Sequence, residues 1–149
     1  MNNIILFTLI TLVTACNQSS KEMFTAEGAW VREAPPNASA MAGYVTITNN
    51  SKQDHILTFA KSKQFNAVEI HRTIIKDGVA KMRRQDDLPI PAGGSLELKP
   101  GSYHLMLMSP KTTFKANDEI TVTVCLKLDD DPKAEIKEVD IVMPIQKAN

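Results

Sequence analysis

The 149-residue chain is short of net charge, cysteine, histidine and aromatic side chains. Seventeen Lys and Arg balance seventeen Asp and Glu, and no charged residue precedes Lys21, so the remainder is also formally neutral. That balance argues against a nucleic-acid partner, which normally demands a basic face. The two cysteines, Cys16 and Cys125, leave a single thiol once Cys16 is modified, and one thiol makes no intramolecular disulfide. No Gly-x-Ser-x-Gly or His-Glu-x-x-His motif is present, and no Cys pairs with a His beside an orienting group. Nothing therefore marks a hydrolase, and the chain reads as a non-enzyme. The apolar run Ile4 to Val13 is too short to span a bilayer comfortably.

That run instead suits the h-region of an export signal over residues 1–15, closing on the small residues Thr14 and Ala15. Val13-Thr14-Ala15-Cys16 has the form of a bacterial lipobox. In that reading Cys16 becomes the first residue of the exported protein and is acylated on sulfur. It then anchors the chain to a membrane through a tether over 16–25, each buried CH₂ of the lipid contributing about 0.8 kcal/mol. The stretch Met1-Asn2-Asn3 lacks the usual Lys or Arg. Ordinary cleavage releasing a soluble periplasmic protein is the alternative.

Residues 26–149 fit one domain. They show no run of helical period but short alternating stretches, at 28–33, 43–48, 55–61, 67–74, 79–84, 95–99, 103–108, 119–128 and 134–143. Asn49-Asn50-Ser51, Lys76-Asp77-Gly78, Pro91-Ala92-Gly93-Gly94 and Pro100-Gly101 punctuate them with turn chemistry. The expectation is an all-β, two-sheet sandwich of immunoglobulin-like or cupredoxin-like type.

Two of the three histidines, His71 and His104, stand with Met82 and Met106 on segments that read as neighbouring strands. Imidazole suits several metals, but thioether sulfur is soft and turns the choice towards Cu(I). In Val68-Glu69-Ile70-His71 the aliphatic residues are even and His71 odd; in His104-Leu105-Met106-Leu107 the leucines are odd and the donors even. The donors thus point away from the apolar face, at the surface or under a loop. If Ile74 pairs with Val79, His71 lies opposite Met82, whereas a one-residue slip would remove Met82 from that face. Met108 continues the His104-Met106 face as a lining residue or a further donor. Met41 and Met143 read as core, Trp30 as a packing anchor, His55 as a surface residue, and Cys125 as a small residue on a partly covered strand face.

Ten residues separate His71 from Met82, twenty-one Met82 from His104, and one His104 from Met106. This spacing resembles the ligand pattern of the bacterial PCuAC family of periplasmic Cu(I) chaperones. So do Trp30-Val31-Arg32 with Pro35-Pro36, Gly43-Tyr44, Ile90-Pro91-Ala92-Gly93-Gly94, and Leu98-Lys99-Pro100-Gly101 leading into His104-Leu105-Met106-Leu107-Met108. The resemblance implies the same fold and a metallochaperone with His71, Met82, His104 and Met106 as Cu(I) ligands. It also implies delivery towards the CuA subunit of cytochrome c oxidase, directly or through a thiol-containing partner. A periplasmic copper buffer without a dedicated acceptor is the alternative. The tail Gln146-Lys147-Ala148-Asn149 lacks the His and Met enrichment of some relatives, so no second site is expected there.

Overall fold

The computed structural model describes residues 22–129, 131 and 133–147; the expected export signal, Cys16 and most of the expected tether lie outside them. The described residues form ten β-strands and no helix. They are β1 (Phe24–Arg32), β2 (Ala40–Asn49), β3 (His55–Lys61), β4 (Phe65–Lys76), β5 (Val79–Gln85), β6 (Leu88–Ile90), β7 (Ser95–Leu98), β8 (Tyr103–Pro110), β9 (Glu119–Leu128) and β10 (Lys137–Gln146). β3 and β9 occupy their expected spans. β1 starts earlier than expected, so Phe24 and Thr25 belong to the sheet, and β10 is displaced towards the C-terminus. It runs through Pro144 to pair in parallel with β1 at Val31↔Ile145.

The all-β class holds, but hydrogen bonding closes the sheet where two separate layers were expected. Strand order β4-β8-β2-β1-β10-β9-β3 returns to β4 through the pair Ala60↔Val68, giving a seven-stranded barrel. β5, β6 and β7 are attached outside this circuit, to β4, β3 and β2 respectively. Closure removes the unpaired edges an open sheet would present. Val45, Ile47, Leu57, Val68, Ile70, Leu105, Leu107, Val122, Val124, Met143 and Ile145 fill the interior. Each comes from the apolar parity of its strand. At Gly43 a Cβ would come within 3.1 Å of Leu107 Cδ1 and 3.3 Å of the Met143 methyl, so any larger residue would have to push these side chains back by a few tenths of an ångström.

The fold also fixes which ends share a side. β2 and β4 are both antiparallel to β8, and β1 is antiparallel to β2. The start of β1, the end of β2 and the β4–β5 turn therefore lie at the same end of the barrel. That turn is the two-residue Asp77-Gly78, with φ of 53° and 75°. Positive φ at both central positions is the type I′ geometry that matches strand twist, and Asp-Gly is suited to it.

Candidate metal centre

The turn sets the register. Lys76 pairs with Val79, so Thr73 lies opposite Met82 and His71 opposite Arg84. The expected Ile74–Val79 pairing, with His71 across from Met82, is therefore displaced by two residues. An even displacement preserves parity: Met82 stays on the His71 face as a diagonal neighbour, a spacing of about 7 Å. On the other side of β4, His71 pairs directly with His104, Glu69 with Met106 and Ala67 with Met108. Ile70, Val68, Leu105 and Leu107 point the opposite way into the core. One outer face thus carries both histidines in a single cross-strand row, Met82 one step towards the turn and Met106 one step away from it. Met108 lies a further step beyond Met106, flanked by Ala67 and Ala40.

The two imidazoles are held alike. His71 Nε2 donates to Glu69 Oε2 at 2.8 Å, and His104 Nδ1 donates to the Ser102 carbonyl at 3.1 Å. The same carbonyl accepts the Thr73 backbone N–H at 3.1 Å, tying the row to β4. A carbonyl can only accept, and the carboxylate accepts likewise, so in the neutral ring the proton sits on that nitrogen and the other carries the lone pair. These remaining atoms, His71 Nδ1 and His104 Nε2, are buried without any hydrogen-bond partner, and no other buried side-chain N or O among the described residues is so placed. The ring centroids are 6.0 Å apart with planes inclined at 63°. Leaving a buried acceptor unsatisfied costs about 1–3 kcal/mol, so two from facing side chains form an arrangement that a shared electrophile would relieve. A histidine with one nitrogen free and the other bonded to a carboxylate or carbonyl is the usual disposition of a metal ligand.

His104 is 3% exposed, Met106 is half-buried and Met82 is 56% exposed. Met82 rides on β5, which among the described residues pairs with β4 alone. Among the described residues no three His, Cys, Asp or Glu side chains converge, so nitrogen, oxygen and thiolate donors alone do not complete a site. A cavity of about 480 Å³ lies at the far end of β8 between Ala34–Met41 and Ser109–Phe114, away from the histidines.

Glu69 was not anticipated, although it stands two residues before His71 and so shares its face. It also meets Arg84 Nη1 at 3.4 Å, and Arg84 Nε reaches Asp86 at 3.2 Å, which steadies the carboxylate that orients His71. His55 is not the surface residue expected: it is 4% exposed, sits edge-on to Phe24 at 5.0 Å and donates from Nδ1 to the Gln53 carbonyl at 3.0 Å. Cys125 is fully buried opposite Phe59 and Glu138, on β9 and apart from both site histidines. Burial, with the Glu138 carboxylate adding to it, pushes its thiol up. Met41 and Met143 are core. Trp30 packs on Tyr44 at 4.6 Å, with the Arg32 guanidinium over both rings.

A sequence-family model described as "Putative lipoprotein LpqE-like" matches residues 24–141. A Leifsonia xyli subsp. xyli protein named "Putative lipoprotein Lxx21020" is 33% identical over 97 residues, which is 64% of this chain and 57% of the relative. The chain thus spans little more than half of that protein. A Rickettsia prowazekii protein, RP573, is 32% identical over 122 residues, 74% of this chain and 67% of its own length. Among solved structures, the copper-bound PCuAC domain from PmoF2 superposes with a TM-score of 0.66 at 19% identity, covering 85% of this chain and 95% of that one. The Cu(I) form of DR1885 from Deinococcus radiodurans gives 0.61 at 27% identity, covering 88% and 83%.

Proposed function

The chain belongs to the LpqE-like family and has the PCuAC fold, and from that premise we propose that it is an extracytoplasmic Cu(I) carrier with His71, Met82, His104 and Met106 as its ligands. The observation that carries this reading is the pair of unpartnered buried nitrogens, His71 Nδ1 and His104 Nε2, on directly paired residues of β4 and β8 with their other nitrogens tied down. Methionines flank that pair on the same face, and two thioethers beside two neutral imidazoles favour Cu(I) over harder or zinc-like ions. The Cu(I)-bound state of DR1885 supports the same choice of ion.

Neutral ligands bind Cu(I) without cancelling its charge, and the ion can pass donor by donor to an incoming thiolate or imidazole. Met82, exposed on the outer strand, is the donor placed to leave first. The role is carriage, not catalysis. Delivery runs towards the CuA subunit of cytochrome c oxidase, directly or through a thiol-containing intermediate, from a membrane surface to which acylated Cys16 holds the chain. The lipoprotein names of the family and of the Leifsonia relative support that location. Among the described residues no helix is long and apolar enough to cross a membrane.

The test is transfer. The Cu(I)-loaded protein, mixed with the soluble CuA domain of the same organism, should lose its copper as CuA absorption appears. Retention of copper against that domain and against a thiol-containing intermediate would leave a copper buffer as the function. Failure to bind one Cu(I) per chain under reducing conditions would remove the copper reading altogether.

A further inference from the structure

The chain is formally neutral, yet its charge is segregated. Residues 72–84, the outer part of the β4–β5 ribbon, hold five cations (Arg72, Lys76, Lys81, Arg83, Arg84) and one anion, Asp77. The rest of the sequence is correspondingly acidic. Arg84 is engaged with Glu69 and Asp86, and Arg72 lies over the Tyr103 ring at 5.2 Å. Lys76, Lys81 and Arg83 have no ion-pair partner among the described residues. At the tip of this ribbon Ile75 is 74% exposed and Val79 57%, with Ile74 also open to solvent. Charges on an edge strand deter edge-to-edge pairing, but that purpose does not call for bare isoleucine and valine at the tip.

The ribbon points to the barrel end where β1 begins, and the exposed Met23 and Ile136 flank the starts of β1 and β10 at that same end. An apolar tip with a cationic collar is the composition that seats in the interface of an anionic bilayer, apolar groups among the upper acyl chains and cations on the phosphates. We propose that the β4–β5 ribbon docks the domain on an anionic lipid surface through Ile74, Ile75 and Val79, with Lys76, Lys81 and Arg83 meeting the headgroups. The β9–β10 connection at the same end carries Asp129, Asp131 and Glu135, so repulsion there tips the domain onto the ribbon. His71 stands five residues behind the tip, about 17 Å at strand rise, which holds the metal centre just above the lipid. This shares a membrane location with the proposed function but does not depend on acylation of Cys16.

Every strand of the described residues lies within residues 24–146, so the unacylated chain from Asn17 onward retains the seven-stranded barrel and tests the ribbon without the anchor. It should co-sediment with vesicles rich in phosphatidylglycerol, not with phosphatidylcholine vesicles, and release as salt is raised. The triple variant Lys76→Glu, Lys81→Glu, Arg83→Glu should bind at least about 100-fold more weakly, each cation near such a surface being worth roughly fivefold. An environment-sensitive dye on Ile75→Cys should shift to the blue on the anionic vesicles alone. Unchanged Cu(I) stoichiometry in these variants certifies the fold, and loss of copper binding with vesicle binding intact would break the carrier reading without touching this one. Equal vesicle binding by parent and triple variant overturns the proposal. So does an absence of binding at low salt, including the case where the ribbon instead binds an acidic protein domain.

Discussion

His55 and His104 are buried to nearly the same degree, yet their surroundings are opposite. Around His55 the polar groups answer one another: Asn49 donates to the Ile90 carbonyl at 3.0 Å and to the Gln53 carbonyl at 2.8 Å, and accepts from Ser51 N and Oγ at 3.0 and 2.7 Å. Gln53 takes the His55 proton, and Phe24 covers the ring. Around His104 and His71 one nitrogen of each ring is oriented and the other left bare. Burial alone therefore does not separate His55 from His104; the proposed ligands differ from His55 in each holding a buried ring nitrogen without a partner. The first arrangement closes a barrel end, and the second leaves two ring nitrogens unsatisfied, the feature on which the proposed copper site rests.

Substitution breaks the comparison most sharply. His71→Ala with His104→Ala should lower Cu(I) affinity by well over about 100-fold, beyond the 10–100-fold typical of losing a group that merely supports a ligand. His55→Ala should leave affinity unchanged and cost about 3 kcal/mol of stability, as large-to-small changes at buried sites do. Competition titration against a Cu(I) chelator and urea unfolding read the two axes, and a copper defect in His55→Ala would erase the distinction.

Acid attacks the same difference. A proton on His71 Nδ1 or His104 Nε2 blocks that donor, so Cu(I) affinity should fall as pH is lowered, with two protons released per copper as the limiting slope. A flat profile would disqualify both imidazoles. Met106→Leu and Met82→Leu preserve volume and should cost less than about 1.5 kcal/mol of stability while weakening Cu(I). Affinity equal to the parent would exclude the methionine concerned.

A smaller effect isolates orientation. Glu69→Gln keeps an acceptor for His71 Nε2 but removes the carboxylate charge, and should weaken Cu(I) roughly tenfold with the fold intact. The smallest belongs to Cys125, where no change in copper affinity is expected for Cys125→Ala. Its native thiol is raised by burial, so above the ordinary thiol range the unfolded chain binds fewer protons than the folded one and stability falls as pH rises. The alanine variant should lack that alkaline slope in urea titrations.

Strand parity made much of this legible beforehand. Alternation in Val68-Glu69-Ile70-His71 and in His104-Leu105-Met106-Leu107 sets the histidines and Met106 opposite the core, and Glu69 could have been read by the same rule. The two-residue register displacement was latent in Asp77-Gly78, whose preference for a two-residue turn fixes Lys76 against Val79. Closure was not legible. It depends on a short contact, Ala60↔Val68, and on β2 receiving β8 over Ala40–Gly43 and β7 over Val45–Thr48, both long-range choices that local pattern does not encode. β6 escaped because Leu88-Pro89-Ile90 is too short for any period to register, and His55 because Asp54 and the preceding turn disguise the network that covers it.

The attachment of β5 to the barrel through β4 alone bears on time as well as on place. Local opening of a peripheral ribbon needs far less free energy than unfolding a closed barrel. With the proposed ligand Met82 on that ribbon and His71, His104 and Met106 on barrel strands, the proposed carrier should release its ion as often as one hairpin frays. The melting temperature should follow the barrel, so in the proposed carrier the lifetime of the cargo and the endurance of the vessel would be set by separate parts of the chain. Sequence changes near Asp77-Gly78 can lengthen or shorten the one while leaving the other where it stands.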